Sequence, residues 1–116
     1  MTAGPTFFPA KDLALEDLGG GIQRRMMGHN DDLMMLEVMF ESGSVGEPHA
    51  HPHAQTTYIA DGVFEVMVEE QRVTLAKGDS VFIQPNEWHG VTCISAGALI
   101  DIFTPRRNDF LENNNE

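Results

Sequence analysis

Crowded histidines are the feature of this sequence that most constrains its fold. Three of the five histidines fall within five residues, at His49, His51 and His53, and Gln55 follows two residues later. In an extended segment these alternate residues would share one face and could converge on one point. Imidazole nitrogens are common ligands for transition metals, so the spacing predicts a metal site.

Two other interpretations of the histidine segment are a solvated loop and the remnant of an affinity tag. A tag would lie at a terminus and would not be followed by β-branched and aromatic residues such as Thr56–Ile59. The metal site is therefore the preferred interpretation.

Composition limits the size and the partners of the protein. A chain of 116 residues with 41% hydrophobic residues suits one globular domain with a single core. Eighteen acidic and seven basic residues give a net charge of -11, which argues against nucleic acid and anionic membranes as partners. The lack of a long apolar run or a basic leader, and the single Cys93, favour the reducing cytoplasm.

Alternating apolar residues between glycine and proline turns predict about eight short strands and no convincing helix. Asp61-Gly62 is interpreted as a hairpin turn and Ala96-Gly97 as another turn between strands. The pattern indicates an all-β barrel or sandwich that holds a ligand inside. Residues 1–21 are interpreted as an N-terminal arm, and residues 105–116 as a C-terminal tail.

Methionines cluster in the first two long strand candidates. We expect them to fill the core or an apolar face between subunits, rather than to form a soft metal site. They are Met26, Met27, Met34, Met35 and Met39.

Two segments carry a family resemblance. The anchors of the first cupin motif are matched by Gly43, His49, His51, Gln55 and Gly62, with glutamine at the usual glutamate position. Gly78 and His89 match the second motif at the required spacing, whereas Asn86 and Cys93 replace a glycine and an asparagine. Residues 40–104 thus resemble the cupin superfamily. The resemblance implies a single domain over residues 1–116, folded as a double-stranded β-helix or jelly-roll barrel.

The same resemblance implies one bound divalent transition metal, for which Ni, Zn, Fe, Mn and Co are all suitable. Its ligands would be His49, His51, Gln55 and His89. A neutral amide at Gln55 leaves the metal its whole charge, which favours Lewis-acid chemistry. His53 lies outside the motif and is expected beside the site or at its rim, and Gln55 would be free to contact substrate if no metal were bound.

Longer segments resemble the KdgF family of pectin-degradation proteins. They are Glu16–Gly21, His49–Gln55 and Asp101–Leu111. Because that family acts on unsaturated uronic acids released by pectin and alginate lyases, the resemblance implies ring opening and ketonisation of a small anionic sugar acid. Ala54 and Asn108 replace two glutamates that are usual in the family. A homodimer is also expected, because small cupins commonly pair.

The resemblance assigns roles to three residues near the end of the chain. Asp101 would be the general acid/base, Phe103 a wall for the sugar, and Arg107 the partner of the substrate carboxylate. From the strand pattern alone, Asp101 either lines a cavity or tips out to solvent, and Phe103 is equally suited to plain core. Arg106 is expected to be solvated.

Two further function classes stay open at this point. A mononuclear oxygenase would require iron, and it would usually have a carboxylate or a fourth histidine where Gln55 stands. A non-catalytic sugar- or metal-binding module would bind its ligand without turnover.

Overall fold

The computed structural model describes residues 5–111, except for the side chain of Leu111. Antiparallel strands make up nearly all of its regular structure, which confirms the predicted all-β class. One 3-10 turn, Ala10–Asp12, precedes the strands, and one helical turn, α1 (Asn108–Leu111), follows them. The strands are β1 (Glu16–Gly19), β2 (Ile22–His29), β3 (Met34–Phe40), β4 (Val45–His49), β5 (Ala54–Val68), β6 (Gln71–Ala76), β7 (Ser80–Ile83) and β8 (His89–Thr104).

The structure describes only part of the predicted N-terminal arm and part of the predicted C-terminal tail. Glu16–Gly19 pairs with β2 across a glycine turn, so this part of the arm extends the sheet. Residues 1–4 and 112–116, which belong to the same two segments, lie outside the described part of the chain. None of the described helices is long and apolar enough to cross a membrane.

Two long strands, β5 and β8, organise the barrel. The first half of β5 pairs with the second half of β8 and with β7, and β3 lies on the other side of β8. Beyond a bend, the second half of β5 pairs with β6 and with the first half of β8, which also pairs with β4. The bend folds one half of the sheet over the other, so that their inner faces share one core.

The predicted turns at Asp61-Gly62 and Ala96-Gly97 are wrong, because both strands continue through these positions. Register shifts on both sides of Asp61 mark a bulge in the ladder between the two strands. Gly62 has a φ of +83°, and a Cβ there would lie 2.7 Å from the Cα of Gly97. The glycines therefore allow two backbones to approach closely at the bend, instead of ending the strands.

The core fills the space between the two halves of the sheet. Phe40 and Phe64 meet edge to face, with ring centroids 5.2 Å apart. Cys93 is buried in the same cluster, as expected for a small apolar residue. Met34 is buried with Leu36 in a second cluster, whereas Met27 and Met35 face a shallow pocket on the outer side of the sheet.

Candidate metal centre and active site

Three of the predicted ligands come together at one end of the barrel. His49 ends β4, His51 lies in the loop before β5, and His89 begins β8 as the direct register partner of His49. One nitrogen of each imidazole lies within 4.8 Å of the others. Residues 50–53 form a loop beyond the end of β4, so the expected convergence of the histidines through one extended strand is wrong. Two separate parts of the chain supply the cluster instead.

Backbone carbonyls determine which nitrogen of each imidazole can face a metal. A carbonyl oxygen only accepts hydrogen bonds, so an Nδ1 held by one must carry the proton and leaves Nε2 with a free lone pair. All three histidines are held in this way. The Nδ1 of His49 lies 3.0 Å from the carbonyl oxygen of Glu47, and the Nδ1 of His51 lies 3.1 Å from that of His53. The Nδ1 of His89 lies 2.8 Å from the carbonyl oxygen of Glu87. The Nε2 of His89 is buried without a hydrogen-bond partner among the described residues. The donor set therefore fits a bound cation.

Burial keeps two of the imidazoles in the neutral form that binds metals. Desolvation lowers the pKa of His89 to about 4, and it also lowers the pKa of His51. His49 is exposed on the open side of the cluster. The site thus combines two buried candidate ligands with one that borders solvent.

Gln55 lies next to the histidine cluster. Its Oε1 is 2.9 Å from the Nε2 of His51, while its Nε2 donates to Thr57 Oγ1 at 2.8 Å and to Asp101 Oδ1 at 3.3 Å. With the proton of His51 on Nδ1, two lone pairs face each other across the 2.9 Å contact. A cation bound to both atoms would relieve that repulsion. The assignment of Gln55 as a fourth ligand stays a prediction.

Of the other two histidines, His53 lies beside the cluster, with its ring centroid 5.4 Å from that of His51, and His29 lies elsewhere. His53 is not part of the converging group, although its carbonyl holds His51 and its own Nδ1 is buried without a partner in the described part of the chain. His29 is exposed at the end of β2.

A cavity of about 160 Å³ opens beside the cluster and extends into the barrel. Its apolar walls include Phe40, Ile83 and Leu99. Its polar lining includes both His49 and His89. The sequence-predicted residues Gln55, Asp101, Phe103 and Arg107 also line it. The fold thus brings the end of β8 and the tail to the same space as the histidine segment.

Asp101 faces the inside of the barrel from the middle of the last part of β8. Its Oδ1 accepts hydrogen bonds from Thr57 Oγ1 at 2.6 Å and from Gln55 Nε2 at 3.3 Å. Burial raises the pKa of Asp101, although these hydrogen bonds and the charge of Arg107 oppose the shift. The strand pattern left this carboxyl either lining a cavity or pointing to solvent, and in the structure it lines the cavity.

Arg107 is buried at the tail end of the cavity. Its Nε and Nη2 donate to the carboxylate of Asp109 at 2.9 and 2.6 Å, and its guanidinium lies 4.0 Å from the ring centroid of Phe110. The ring of Phe103 is 5.3 Å away. Arg107 lowers the pKa of Asp109 by hydrogen bonding and by its charge. A fixed cation therefore lies in a protein of strongly negative net charge.

Arg106 lies outside the residues that line this cavity. It is half-buried and forms an ion pair with Asp31 at 3.1 Å, and its Nε donates to Asn108. It is thus paired at the surface rather than fully solvated.

Two polar residues of the site were missed by the sequence analysis, Thr57 and Asp109. Thr57 follows Gln55 by two residues on a strand, so a shared inward face was a usable signal. No comparable signal existed for Asp109, because its contact with Arg107 depends on how the tail turns.

Comparisons with known proteins agree with this architecture. The cupin domain family matches residues 36–103. The pectin degradation protein KdgF of Dickeya dadantii is 43% identical over 107 residues, which cover 90% of this chain and 97% of that protein.

Two solved structures are similar over nearly the whole chain. An RmlC-like cupin from Shewanella frigidimarina has a TM-score of 0.90 and 40% identity, with 92% of this chain and 96% of that chain covered. KdgF from Halomonas has a TM-score of 0.88 and 36% identity, with 92% and 99% covered. The resemblance drawn from the motifs is confirmed, and the chain belongs to the cupin family and, within it, to the KdgF family of pectin-degradation proteins.

Proposed function

We propose that this protein is a metal-dependent enzyme that opens the ring of 4,5-unsaturated monouronates from pectin or alginate and converts them to linear keto-uronates. The observation that carries the proposal is the shared cavity, which is lined by the half-buried carboxyl of Asp101, the buried cation of Arg107 and two of the three converging imidazoles, those of His49 and His89. Similarity to a relative named as a pectin degradation protein supports a uronic acid as substrate.

The proposed reaction conserves every atom. A proton leaves the anomeric hydroxyl, the bond between the anomeric carbon and the ring oxygen breaks, and its electron pair passes to that oxygen. The alkene carbon distant from the ring oxygen then takes up a proton, and the former ring oxygen becomes a ketone. One proton is lost and one is gained, so the chemistry is that of an isomerase and needs a single group that can accept and return a proton.

His49, His51 and His89, with Gln55, would hold one divalent transition metal, such as Ni, Zn, Fe, Mn or Co. When bound, the metal would supply a positive charge that polarises a substrate oxygen. Gln55 brings no charge of its own to the ligand set, so it does not weaken this polarisation.

Asp101 is the group that we assign to proton transfer. Its Oδ1 is occupied by Thr57 and Gln55, whereas Oδ2 has no hydrogen-bond partner within residues 5–111. That oxygen can therefore accept the hydroxyl proton and return one to the alkene carbon. A pKa raised by burial makes the carboxylate a stronger base than an exposed aspartate.

Arg107 and Phe103 are assigned to substrate binding. Asp109 occupies the Nε and Nη2 of Arg107, which leaves Nη1 for the substrate carboxylate. A local cation is required because a net charge of -11 repels an anionic sugar acid. Phe103, buried beside Arg107, would form a wall against which the sugar packs.

The test follows the loss of ultraviolet absorbance of the conjugated alkene when metal-loaded protein meets unsaturated monouronate. We expect Asp101→Asn to lower kcat by about 100-fold or more, since general acid–base catalysis is worth about that much. Arg107→Lys is expected to lower kcat/KM by about tenfold or more, because the fork geometry is lost. The matched control, Arg106→Lys, changes the same residue type at the surface and should behave as the unmodified protein.

Two results would overturn the proposal. One is a rate of alkene loss with metal-loaded protein that is no faster than in buffer. The other is full activity in both Asp101→Asn and His51→Ala, which would remove the proposed roles even if turnover were real.

We further propose that the enzyme is a cytoplasmic homodimer. The outer side of the sheet carries an apolar pocket lined in part by Met27, Leu33, Met35 and Ile102, which suits contact with a second copy. The free thiol of Cys93 is compatible with a reducing compartment. Sedimentation equilibrium should give twice the mass of the chain, and Met35→Glu should shift it towards the monomer. A monomeric mass for the unmodified protein would contradict the dimer.

A further inference from the structure

Thr57 connects the candidate metal centre to the proposed proton-transfer group. It is 3% exposed and lies on β5 as the direct register partner of Asp101 on β8. Its Oγ1 is 2.6 Å from Asp101 Oδ1 and 2.8 Å from Gln55 Nε2. One buried hydroxyl therefore contacts both groups at hydrogen-bond distance.

The single proton of the hydroxyl determines the direction of these contacts. An ionised Asp101 only accepts, so Thr57 donates to it and must accept from its other neighbour. That neighbour is the amide nitrogen of Gln55, which also lies 3.3 Å from the carboxylate. The nitrogen end of the amide is thus held towards Thr57 and Asp101, and the oxygen end is held towards the histidines.

With a metal bound at the histidines, the reverse orientation of the amide would be unfavourable. If Gln55 turned over, its Oε1 would face the carboxylate of Asp101 at the present 3.3 Å and would lose the two hydrogen bonds donated by its nitrogen. Amide ends are assigned from hydrogen bonding, and without a metal a turned amide could donate its N–H to the lone pair of His51 Nε2. The present orientation therefore suits a cation bound between His51 and Gln55, and on the other side Thr57 and Asp101 both favour it. Thr57 is the nearer of them.

We infer that Thr57 is a positioning residue, which points the amide oxygen of Gln55 at the metal centre and fixes Oδ1 of Asp101 so that Oδ2 faces the substrate. The statement about Asp101 rests on the proposed function, whereas the statement about Gln55 requires only that the site binds a metal. Side chains that hold metal ligands in place typically change metal affinity or activity by about 10- to 100-fold when removed.

Three variants separate this role from simple packing. Thr57→Val removes the hydroxyl and keeps the shape of the side chain. Thr57→Ser keeps the hydroxyl and removes the methyl group. Thr56→Val is the matched control, because Thr56 is the neighbouring threonine on the exposed face of the same strand.

The first measurement is the dissociation constant for Co²⁺, obtained by competition with a chelator and followed by the visible absorption of the bound ion. We expect Thr57→Val to weaken Co²⁺ binding by about tenfold or more and to change the spectrum. Thr57→Ser and Thr56→Val should bind as the unmodified protein does. This measurement stays decisive if the protein shows no activity on unsaturated uronates.

The second measurement is the split between kcat and KM on unsaturated monouronate. Thr57→Val is expected to lower kcat by about tenfold or more with KM nearly unchanged, and Thr57→Ser is expected to restore kcat. If Thr57→Val does not fold by circular dichroism, Thr57→Ala removes the same hydroxyl and carries the same expectations. The inference is overturned if the variant lacking the hydroxyl matches Thr56→Val within twofold in both Co²⁺ affinity and kcat, or if Thr57→Ser is as impaired as Thr57→Val.

Discussion

The substitution Gln55→Glu tests the hydrogen-bond network of the site. It is isosteric, and it replaces the amide nitrogen by a carboxylate oxygen in a position that is almost fully buried. In the present structure that nitrogen donates to Thr57 at 2.8 Å and to Asp101 Oδ1 at 3.3 Å. The substitution therefore removes two donated hydrogen bonds and places two carboxylates side by side.

The expected loss of stability follows from the distance between the two groups. Two unit charges separated by the 3.3 Å contact repel by about 5 kcal/mol at an effective dielectric constant of about 20. Proton uptake by Asp101, whose pKa is already raised by burial, limits the cost to less than about 4 kcal/mol at neutral pH, because even an ordinary carboxyl titrates only about three pH units lower. We therefore expect the free energy of unfolding to fall by about 2–4 kcal/mol without metal.

Urea denaturation in a neutral buffer that contains a chelator measures this loss. Gln23→Glu is the matched control, since it adds the same charge at an exposed position of β2 and should cost less than about 1 kcal/mol. Excess metal should reduce the loss in Gln55→Glu, because the new carboxylate lies beside the cation site. If Gln55→Glu in chelator is within about 1 kcal/mol of the control, Asp101 is not an ionised acceptor of these hydrogen bonds and the reasoning fails.

Three further predictions concern the bend, the tail and the metal. Gly97→Ala should lower the free energy of unfolding by about 1–3 kcal/mol, because a Cβ there would meet the backbone of Asp61; an unchanged urea midpoint would contradict the role of the bend. Arg107 lowers the pKa of Asp109, so this pair should stabilise the protein above about pH 4 and lose its effect as the pH falls below that; a stability difference between the unmodified protein and Asp109→Asn that persists in acid would refute it. Metal at about 1,000 times its dissociation constant should stabilise the folded protein by about 4 kcal/mol, and a chelator should remove this gain. A melting temperature that changes with neither metal nor chelator would show that the folded protein does not bind the metal.

Local sequence patterns predicted the strands but not their continuity. Asp61-Gly62 has the composition of a hairpin turn, and a glycine in a bulge uses the same left-handed conformation. What decides between a hairpin turn and a bulge is Gly97, which lies on another strand and meets Gly62 only in the folded barrel. No window of neighbouring residues contains that information.

The sequence predicted some contacts of the candidate site and missed others. Motif spacing pointed to His49, His51 and His89, which the fold brings together. The reason they converge lies in loop geometry and in the register between β4 and β8, and not in strand alternation as expected. The alternation of β8 left Asp101 either in a cavity or in solvent, and only the folded structure shows that it lines the cavity. The contact between Arg107 and Asp109 depends on the turn that ends the tail, which no periodic pattern specifies.

The most direct test of the central claim is the proton NMR spectrum of unsaturated monouronate incubated with metal-loaded protein in deuterium oxide. The account predicts that the alkene proton signal disappears much faster than in buffer, and that the linear keto acid forms with one deuteron on the carbon beside the new ketone. An alkene signal that decays at the rate seen in buffer alone would contradict it.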